Sequence, residues 1–286
     1  MGKLYWLLTQ LKLKKYVGRA FHHIQADRDK VNPTKEMIAS REYYKAHEME
    51  IEQVCALLED EESVKTYKAM WRFRCTHNYK DLPQIEEEKQ YFGYQFFEFS
   101  NGEKLIDCGA YDGDTINAFE KCMKQHKINE YSTVAIEADP VNCEYIAKRR
   151  NVTVINKGVW DREDVLRFVI DDETEGRIFN GGEEQIDGVK ISEIPVINID
   201  SIEECSDATI LKMDIEGAEW QALHGAVKLI KRNRPKLSIC IYHSDDDMIR
   251  IINWINDLHL NYCFYIRQHS DTRHETVLYA VPMNSY

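Results

Sequence analysis

The sequence predicts an α/β protein with a mostly parallel sheet and helices on both faces. Three observations carry that expectation. From Glu103 onward, short apolar runs alternate with helix-patterned stretches, the order that builds parallel strands joined by crossover helices. The last two apolar runs, "YCFYIRQ" and "ETVLYAVP", stand too close together for a crossover helix. They are therefore expected as an antiparallel pair at one edge of the sheet. The first hundred residues show no such alternation and carry helical spacing instead.

The elements follow in order. Residues 1–98 read as a helical arm or cap, and 99–286 as the α/β domain. In the arm, Ile51, Val54, Leu57 and Leu58 recur at helical spacing, and Ser63 starts a further helix carrying Tyr67, Met70, Trp71 and Phe73. The opening "MGKLYWLLTQLKLKKY" is basic and amphipathic, with Lys3, Lys12, Lys14 and Lys15 among leucines and aromatics. Its apolar core is too short for a signal peptide. A helix packed on the body of the protein is favoured over one lying on a membrane surface.

In the α/β domain the strand "EKLIDCGA" leads to the helix "TINAFEKCMKQH". The strand "STVAIEAD", the helix "PVNCEYIAKRR" and a third strand "NVTVINKGVW" follow. Residues 161–206 form a β-rich insertion: "DVLRFVID" and "VKISEIPVINID" flank a polar, glycine-bearing connection and suggest hairpin structure. The strand "ATILKMDIEG" then enters the helix "AEWQALHGAVKLIKRN", and "PKLSICIYH" precedes the helix "DDMIRIINWINDLH".

Composition excludes several classes of function. A formal net charge of −12 repels phosphate backbones, so nucleic acid is not an expected partner. No apolar run approaches the roughly 18 residues of a spanning helix, so no integral membrane segment is expected. The eight cysteines contain no C-x-x-C pair, which argues against a zinc knuckle. Several sit inside apolar runs, a pattern that fits reduced thiols in a cytoplasmic protein.

Ligands of an open parallel sheet bind beyond the carboxyl ends of its strands. After the first strand stand Asp107, Gly109, Ala110, Tyr111, Asp112, Gly113 and Thr115. The two glycines would let backbone approach a ligand, and Gly113 opens a helix whose amides can hold a polar group. A dinucleotide fingerprint would need a glycine where Tyr111 stands. The second strand ends in Glu137, Ala138 and Asp139, and Glu137 occupies the place of an acid that accepts from ribose hydroxyls. After the third strand, Gly158, Val159, Trp160 and Asp161 offer an aromatic face and an acceptor for a purine, although Trp160 could equally be core.

"ILKMDIEGAEW" holds the densest cluster. Asp214 ends the strand, and Glu216 and Glu219 are expected three apart on one face at a helix start. His243, at the end of the next strand, suits a general base. The acidic run behind it fits an S-x-x-D capping box from Ser244 to Asp247, which explains those acids without an ion, and no metal is expected; the competing reading is a divalent ion held by Asp214, His243 and nearby acids.

Taken together, "DCGAYDGDT", "AIEADP", "NKGVWD" and "ILKMDIEGAEWQALHGA" resemble the FkbM-type S-adenosylmethionine-dependent methyltransferases. The resemblance is strong over residues 103–282 and reaches back to about residue 53 through "LLEDEESVKTYKAMWRFR" and "EEKQYF". It implies a Rossmann-like seven-stranded methyltransferase sheet with the last strand antiparallel. It also implies S-adenosyl-L-methionine as cofactor and O-methylation of a sugar hydroxyl on a glycan, polysaccharide or glycosylated metabolite. By this carry-over Asp107, Gly109 and Gly113 line the methionine end, Glu137 binds ribose, and Trp160 and Asp161 lie by adenine. Asp214 and Glu216 then sit by the transferred methyl group. His243 is the leading base, with Asp214 or Glu216 as alternatives. The competing readings are an NAD(P)-dependent oxidoreductase and a non-catalytic cofactor-binding scaffold. The insertion and the arm are where an acceptor pocket or a homodimer contact through the N-terminal helices is expected.

Overall fold

The computed structural model describes residues 33–171, 174–178 and 190–283. The basic opening segment and most of the polar connection inside the insertion lie outside the described residues. The chain divides into two compact units, one of residues up to Glu87 with Ile266–Thr276, the other of Glu88–Tyr265 and the residues from Val277 on.

The first unit is built on helices α1 (Lys35–Ala46), α2 (Glu48–Leu57) and α3 (Glu61–Thr76). Thr34 caps α1 by accepting from the Met37 amide at 3.2 Å. Asp60, not Ser63, caps α3: its carboxylate takes the Ser63 amide at 2.7 Å, so the helix starts two residues earlier than the sequence suggests. The Ser63 hydroxyl instead accepts from Arg267 Nη1 at 2.7 Å, while Arg267 Nη2 meets Asp60 at 2.6 Å. Met37, Ile51, Val54, Tyr67, Met70 and Trp71 form the unit's buried apolar side. Beyond Thr76, α-helix gives way to two short 3-10 turns before the sheet begins.

A seven-stranded sheet follows, its strands in the spatial order Tyr262–Gln268, Thr276–Pro282, Lys236–Cys240, Ile210–Met213, Glu103–Cys108, Tyr131–Ile136 and Val152–Ile155. Its strands are β1 (Glu103–Cys108), β2 (Tyr131–Ile136), β3 (Val152–Ile155), β8 (Ile210–Met213), β9 (Lys236–Cys240), β10 (Tyr262–Gln268) and β11 (Thr276–Pro282). β1 pairs in parallel with both β2 and β8, which makes it the central strand of the parallel part. β11 runs antiparallel to β9, as the short final connection requires. Helices α4 (Asp114–Gln125), α5 (Pro140–Ile146), α6 (Glu219–His224), α7 (Val227–Asn233) and α8 (Asp247–Asp257) connect the strands. Leu105, Phe119, Met123, Ile210, Cys240 and Tyr279 belong to one buried cluster, joined by Phe92 and Phe97 from the segment ahead of β1. All eight cysteines carry free thiols, five of them buried. Among the described residues, no helix is long and apolar enough to cross a membrane.

The run "NVTVINKGVW", read from sequence as one strand, is two strands in different sheets. β3 ends at Ile155, and β4 (Gly158–Val159) joins a four-stranded sheet with β5 (Asp164–Asp171), β6 (Thr174–Ile178) and β7 (Lys190–Ile197). The break coincides with a contact between loops: the Asn156 amide group donates to the carbonyls of Glu137 and Ala138, both at 3.0 Å, where the chain leaves the β3 line. β5 then pairs antiparallel with both β6 and β7, the hairpin structure expected of the insertion.

In the helical unit His269 is buried and its Nδ1 donates to the Glu86 carbonyl at 2.9 Å. Burial pushes its imidazole down to about 4. In the unfolded chain a histidine titrates near 6.5. Between about 6.5 and about 4 the unfolded chain therefore binds a proton that the folded chain does not. This stability is present above that window and is lost as pH falls through it. Urea denaturation between about pH 7 and about pH 4 should show the midpoint falling with pH, less steeply in His269→Gln. Equal slopes in the two proteins would mean His269 is not responsible.

Candidate active site at the carboxyl ends of the parallel strands

The ends of β1, β2, β8 and β9 bring most of the sequence-predicted residues to adjoining loops. The β1 and β8 loops interlock. The Asp214 amide donates to the Cys108 carbonyl at 3.2 Å, and Gly109 lies against the Asp214 backbone. A Cβ on Gly109, whose φ is +75°, would stand 1.9 Å from the Asp214 carbonyl oxygen. This glycine is therefore required by the neighbouring loop, where the sequence alone suggested room for a ligand. At Gly113 (φ +84°) a Cβ would meet the mobile end of Arg149 at 2.9 Å.

Beneath the loops, Lys212 lies 3.0 Å from Asp107, and both side chains are buried. The ammonium also donates to the Gly109 carbonyl at 2.9 Å. Burial works against the charge on Lys212, but the carboxylates of Asp107 and Asp214 outweigh it and hold the lysine above its ordinary range. Lys212 approaches Asp107 without hydrogen-bond alignment, and both Asp107 oxygens are buried and accept no hydrogen bond.

The β2 loop is ordered by Glu137. One carboxylate oxygen accepts the Tyr111 amide at 2.8 Å and the other the Asp139 amide at 2.8 Å. The half-buried carboxylate keeps further lone pairs for another donor. Ala110 is fully buried, Tyr111 is 64% exposed at φ +45°, and Asp139 caps α5 through the Val141 amide. Asp112 takes the Asp114 amide, and Thr115 is buried in the first turn of α4. Gly113, the N-cap residue, gives that helix no side-chain cap. Gly158 and Val159 lie in β4. Trp160 is held by its backbone, with its amide on the Ile197 carbonyl and its carbonyl facing Gly225. Asp161 pairs with Arg162 at 3.0 Å.

The densest polar cluster surrounds His243. Nε2 lies 3.3 Å from Glu216 and 3.8 Å from Asp214, and Nδ1 lies 3.2 Å from Glu219. Burial would lower this imidazole, but Glu216, Glu219 and Asp214 override it and raise it to about 10. Glu216 is not on a helix, as its spacing from Glu219 suggested. It sits in a tight turn at φ +55°, followed by Gly217 at φ +92°, and α6 begins only at Glu219. The turn, not a shared helix face, puts the two acids on opposite nitrogens of one ring. Glu219 is fully buried and its Oε1 accepts the Ile215 amide at 2.8 Å.

Two tyrosines complete the cluster, and sequence reasoning missed both. Tyr91 Oη donates to Asp214 Oδ2 at 3.0 Å, and Tyr242 Oη donates to Oδ1 at 2.9 Å. Tyr242 was within reach, since it precedes His243 at the same strand end. Tyr91 stands 123 positions before Asp214, inside "EEKQYF", where only the resemblance gave a signal.

A sequence profile described as the Methyltransferase FkbM domain matches residues 107–264, from the Asp107 loop to β10, and takes in Asp214, Glu216, Glu219, Tyr242 and His243 but not Tyr91. The chain belongs to the FkbM methyltransferase family. Among solved structures it is similar to methyltransferase FkbM from Methylobacillus flagellatus KT, at 25% identity and a TM-score of 0.67. That alignment covers 83% of this chain and 59% of the other, so this FkbM-family chain spans under two thirds of its relative's length. A TehB-like SAM-dependent methyltransferase from Corynebacterium glutamicum ATCC 13032 Kitasato matches at 10% identity and a TM-score of 0.36, over 76% of this chain and 96% of the other. A score that low carries no argument about this protein. No curated protein matches the chain.

The glycines of the site differ in a measurable way. Gly109→Ala meets both an unfavourable φ and a backbone oxygen, so a loss of about 3 kcal/mol or more is expected. Gly217→Ala meets only His243 Cβ at an ordinary 3.6 Å, so its cost is the φ penalty of about 1 kcal/mol. Chemical denaturation of the two variants checks the order. Equal losses would show that the Gly109–Asp214 contact does not set the packing.

Proposed function

We propose that the protein is an S-adenosyl-L-methionine-dependent O-methyltransferase acting on a sugar hydroxyl of a glycan, polysaccharide or glycosylated metabolite. The observation that carries the reading is family membership across residues 107–264, the segment that contains Asp214, Glu216, Glu219 and His243. The donor set fits the cofactor. Glu137 is aimed by two amides and has lone pairs left for ribose hydroxyls. Asp107, buried against Lys212, and the glycines of the loop that leads into α4 are assigned to the methionine end. Trp160 and Asp161 are assigned to the adenine side. The bound cofactor supplies an electrophilic methyl group on a sulfonium.

The chain's own residues then position the acceptor and receive its proton. Sequence reasoning gave the base role first to His243. An imidazole raised to about 10 already carries its proton at neutral pH. We assign the base to Glu216, whose side chain is 71% exposed at the mouth and 3.3 Å from that imidazole. Asp214, fixed by two tyrosine hydroxyls, holds the adjoining wall. The four-stranded insertion and the N-terminal helices are proposed to supply acceptor contacts or a homodimer surface. Eight free thiols support a cytoplasmic location.

S-adenosylhomocysteine should raise the melting temperature and NAD(H) should not. The shift should weaken in Glu137→Ala, with affinity reduced at least about tenfold, because a charge-assisted hydrogen bond contributes about 1.5–3 kcal/mol. Stabilisation by NAD(P)H alone would overturn the reading in favour of a dehydrogenase. Methyl transfer to candidate glycans, read as a mass gain of one methyl, should fall about 100-fold in Glu216→Gln while cofactor affinity is unchanged. Full activity in that variant would remove Glu216 as the base.

A further inference from the structure

We propose that Asp214, Glu219 and His243 form a binding site for a single divalent cation of the Mn2+ or Zn2+ type. Each of the three brings one ligating atom within 4.8 Å of the other two. Ligands sharing an ion lie about 3.0–3.5 Å apart, so side-chain rotations of about 1 Å close the set. The cluster is not a solvated acidic patch: Glu219 is fully buried, and the side chains of His243 and Asp214 are 8% and 20% exposed.

An independent observation points to a missing partner. Glu219 Oε2 is buried and makes no hydrogen bond, while the buried ring nitrogens of His243 meet only carboxylates, at 3.2 and 3.3 Å. Buried polar atoms in folded proteins are ordinarily satisfied, so an unpaired carboxylate oxygen inside this cluster marks a place where something binds. The surroundings are those of a ligand set held from behind. The Ile215 amide fixes Glu219 Oε1, Tyr242 and Tyr91 fix the two oxygens of Asp214, and the Tyr242 ring lies against the imidazole at 4.0 Å between centroids, tilted by 35°. Outer partners of this kind orient metal ligands.

The capping box that made a metal unnecessary in the sequence accounts for different acids. The Ser244 hydroxyl meets Asp247, and Arg250 pairs with Asp246 and Asp247. None of these pairs involves Asp214 or Glu219. Two carboxylates with one imidazole suit Mn2+ or Zn2+ better than Mg2+, which prefers oxygen ligands and keeps most of its water. Coordination through a ring nitrogen of His243 displaces the proton that nitrogen carries and releases it to solvent, and three protein ligands leave open positions on the ion. That an acceptor hydroxyl takes one of them rests on the methyltransferase reading; the binding of the ion does not.

The test is titration of Mn2+ into the metal-stripped full chain, with free Mn2+ followed by electron paramagnetic resonance and heats by calorimetry. One Mn2+ per chain is expected, displaced by Zn2+ and not by equimolar Mg2+. Affinity should drop at least about tenfold in Asp214→Asn and in His243→Ala, and measurably in Tyr91→Phe. Thermal shift with S-adenosylhomocysteine on the same variants reports folding and the cofactor pocket separately. A retained shift without Mn2+ binding in the unmutated chain overturns the metal site alone, and loss of the shift with Mn2+ still bound overturns the cofactor reading alone. Absence of saturable binding, or equal affinity in the unmutated chain and Asp214→Asn, refutes the proposal.

Discussion

Two backbone turns, at the ends of β1 and β8, press together until the Asp214 carbonyl occupies the space a side chain on Gly109 would need. That contact ties neighbouring strands at the end where ligands bind, and the buried Lys212–Asp107 pair sits directly beneath it. Lys212 serves both layers, since it faces the Asp107 carboxylate and also donates to the Gly109 carbonyl. A buried pair of this kind adds little net stability, because both charges give up water. It links the two loops instead, through the ammonium that reaches from β8 to the Gly109 carbonyl. Asp214 is consequently presented from a rigid base, with its oxygens already engaged by Tyr91 and Tyr242.

Electrostatics follow from this geometry. Asp214, Glu216 and Glu219 converge on one imidazole, and the fold accepts two consecutive left-handed residues, Glu216 and Gly217, to make that possible. For a residue with a Cβ, φ +55° is a cost that surrounding packing must offset. Such costs collect where a side chain has to be aimed, and here the aimed side chain is a carboxylate at the mouth. The charge state of His243 is a property of this arrangement and not of the residue type.

Much of the fold was legible from the sequence, for simple reasons. Apolar runs such as "EKLIDC" and "ILKM" alternate with helices, and a parallel sheet puts their carboxyl ends together, so Asp107, Glu137, Asp214 and His243 could be named as strand-end residues. Periodicity says nothing about a polar side chain that reaches back across the chain. One apolar run is divided between two sheets where Asn156 makes a tertiary contact without a local signature. The spacing of Glu216 and Glu219 matched a helix face because a three-residue interval is the same in a helix and in the turn ahead of one. Tyr91 was hidden by distance along the chain.

Tyr91 also bears on what counts as a domain. Its amide is held by the Tyr279 hydroxyl at 2.9 Å and its own hydroxyl by Asp214, so one residue ties the final strand to the strand-end cluster. Phe92 and Phe97 follow it into the sheet's apolar cluster. The family profile starts at residue 107 and stops at 264, leaving out both Tyr91 and Tyr279. A fragment cut at those limits would keep every motif that identifies the family and still lose β11 and a hydrogen-bond donor to Asp214. The stretch that recognises the family is shorter than the stretch that must fold together.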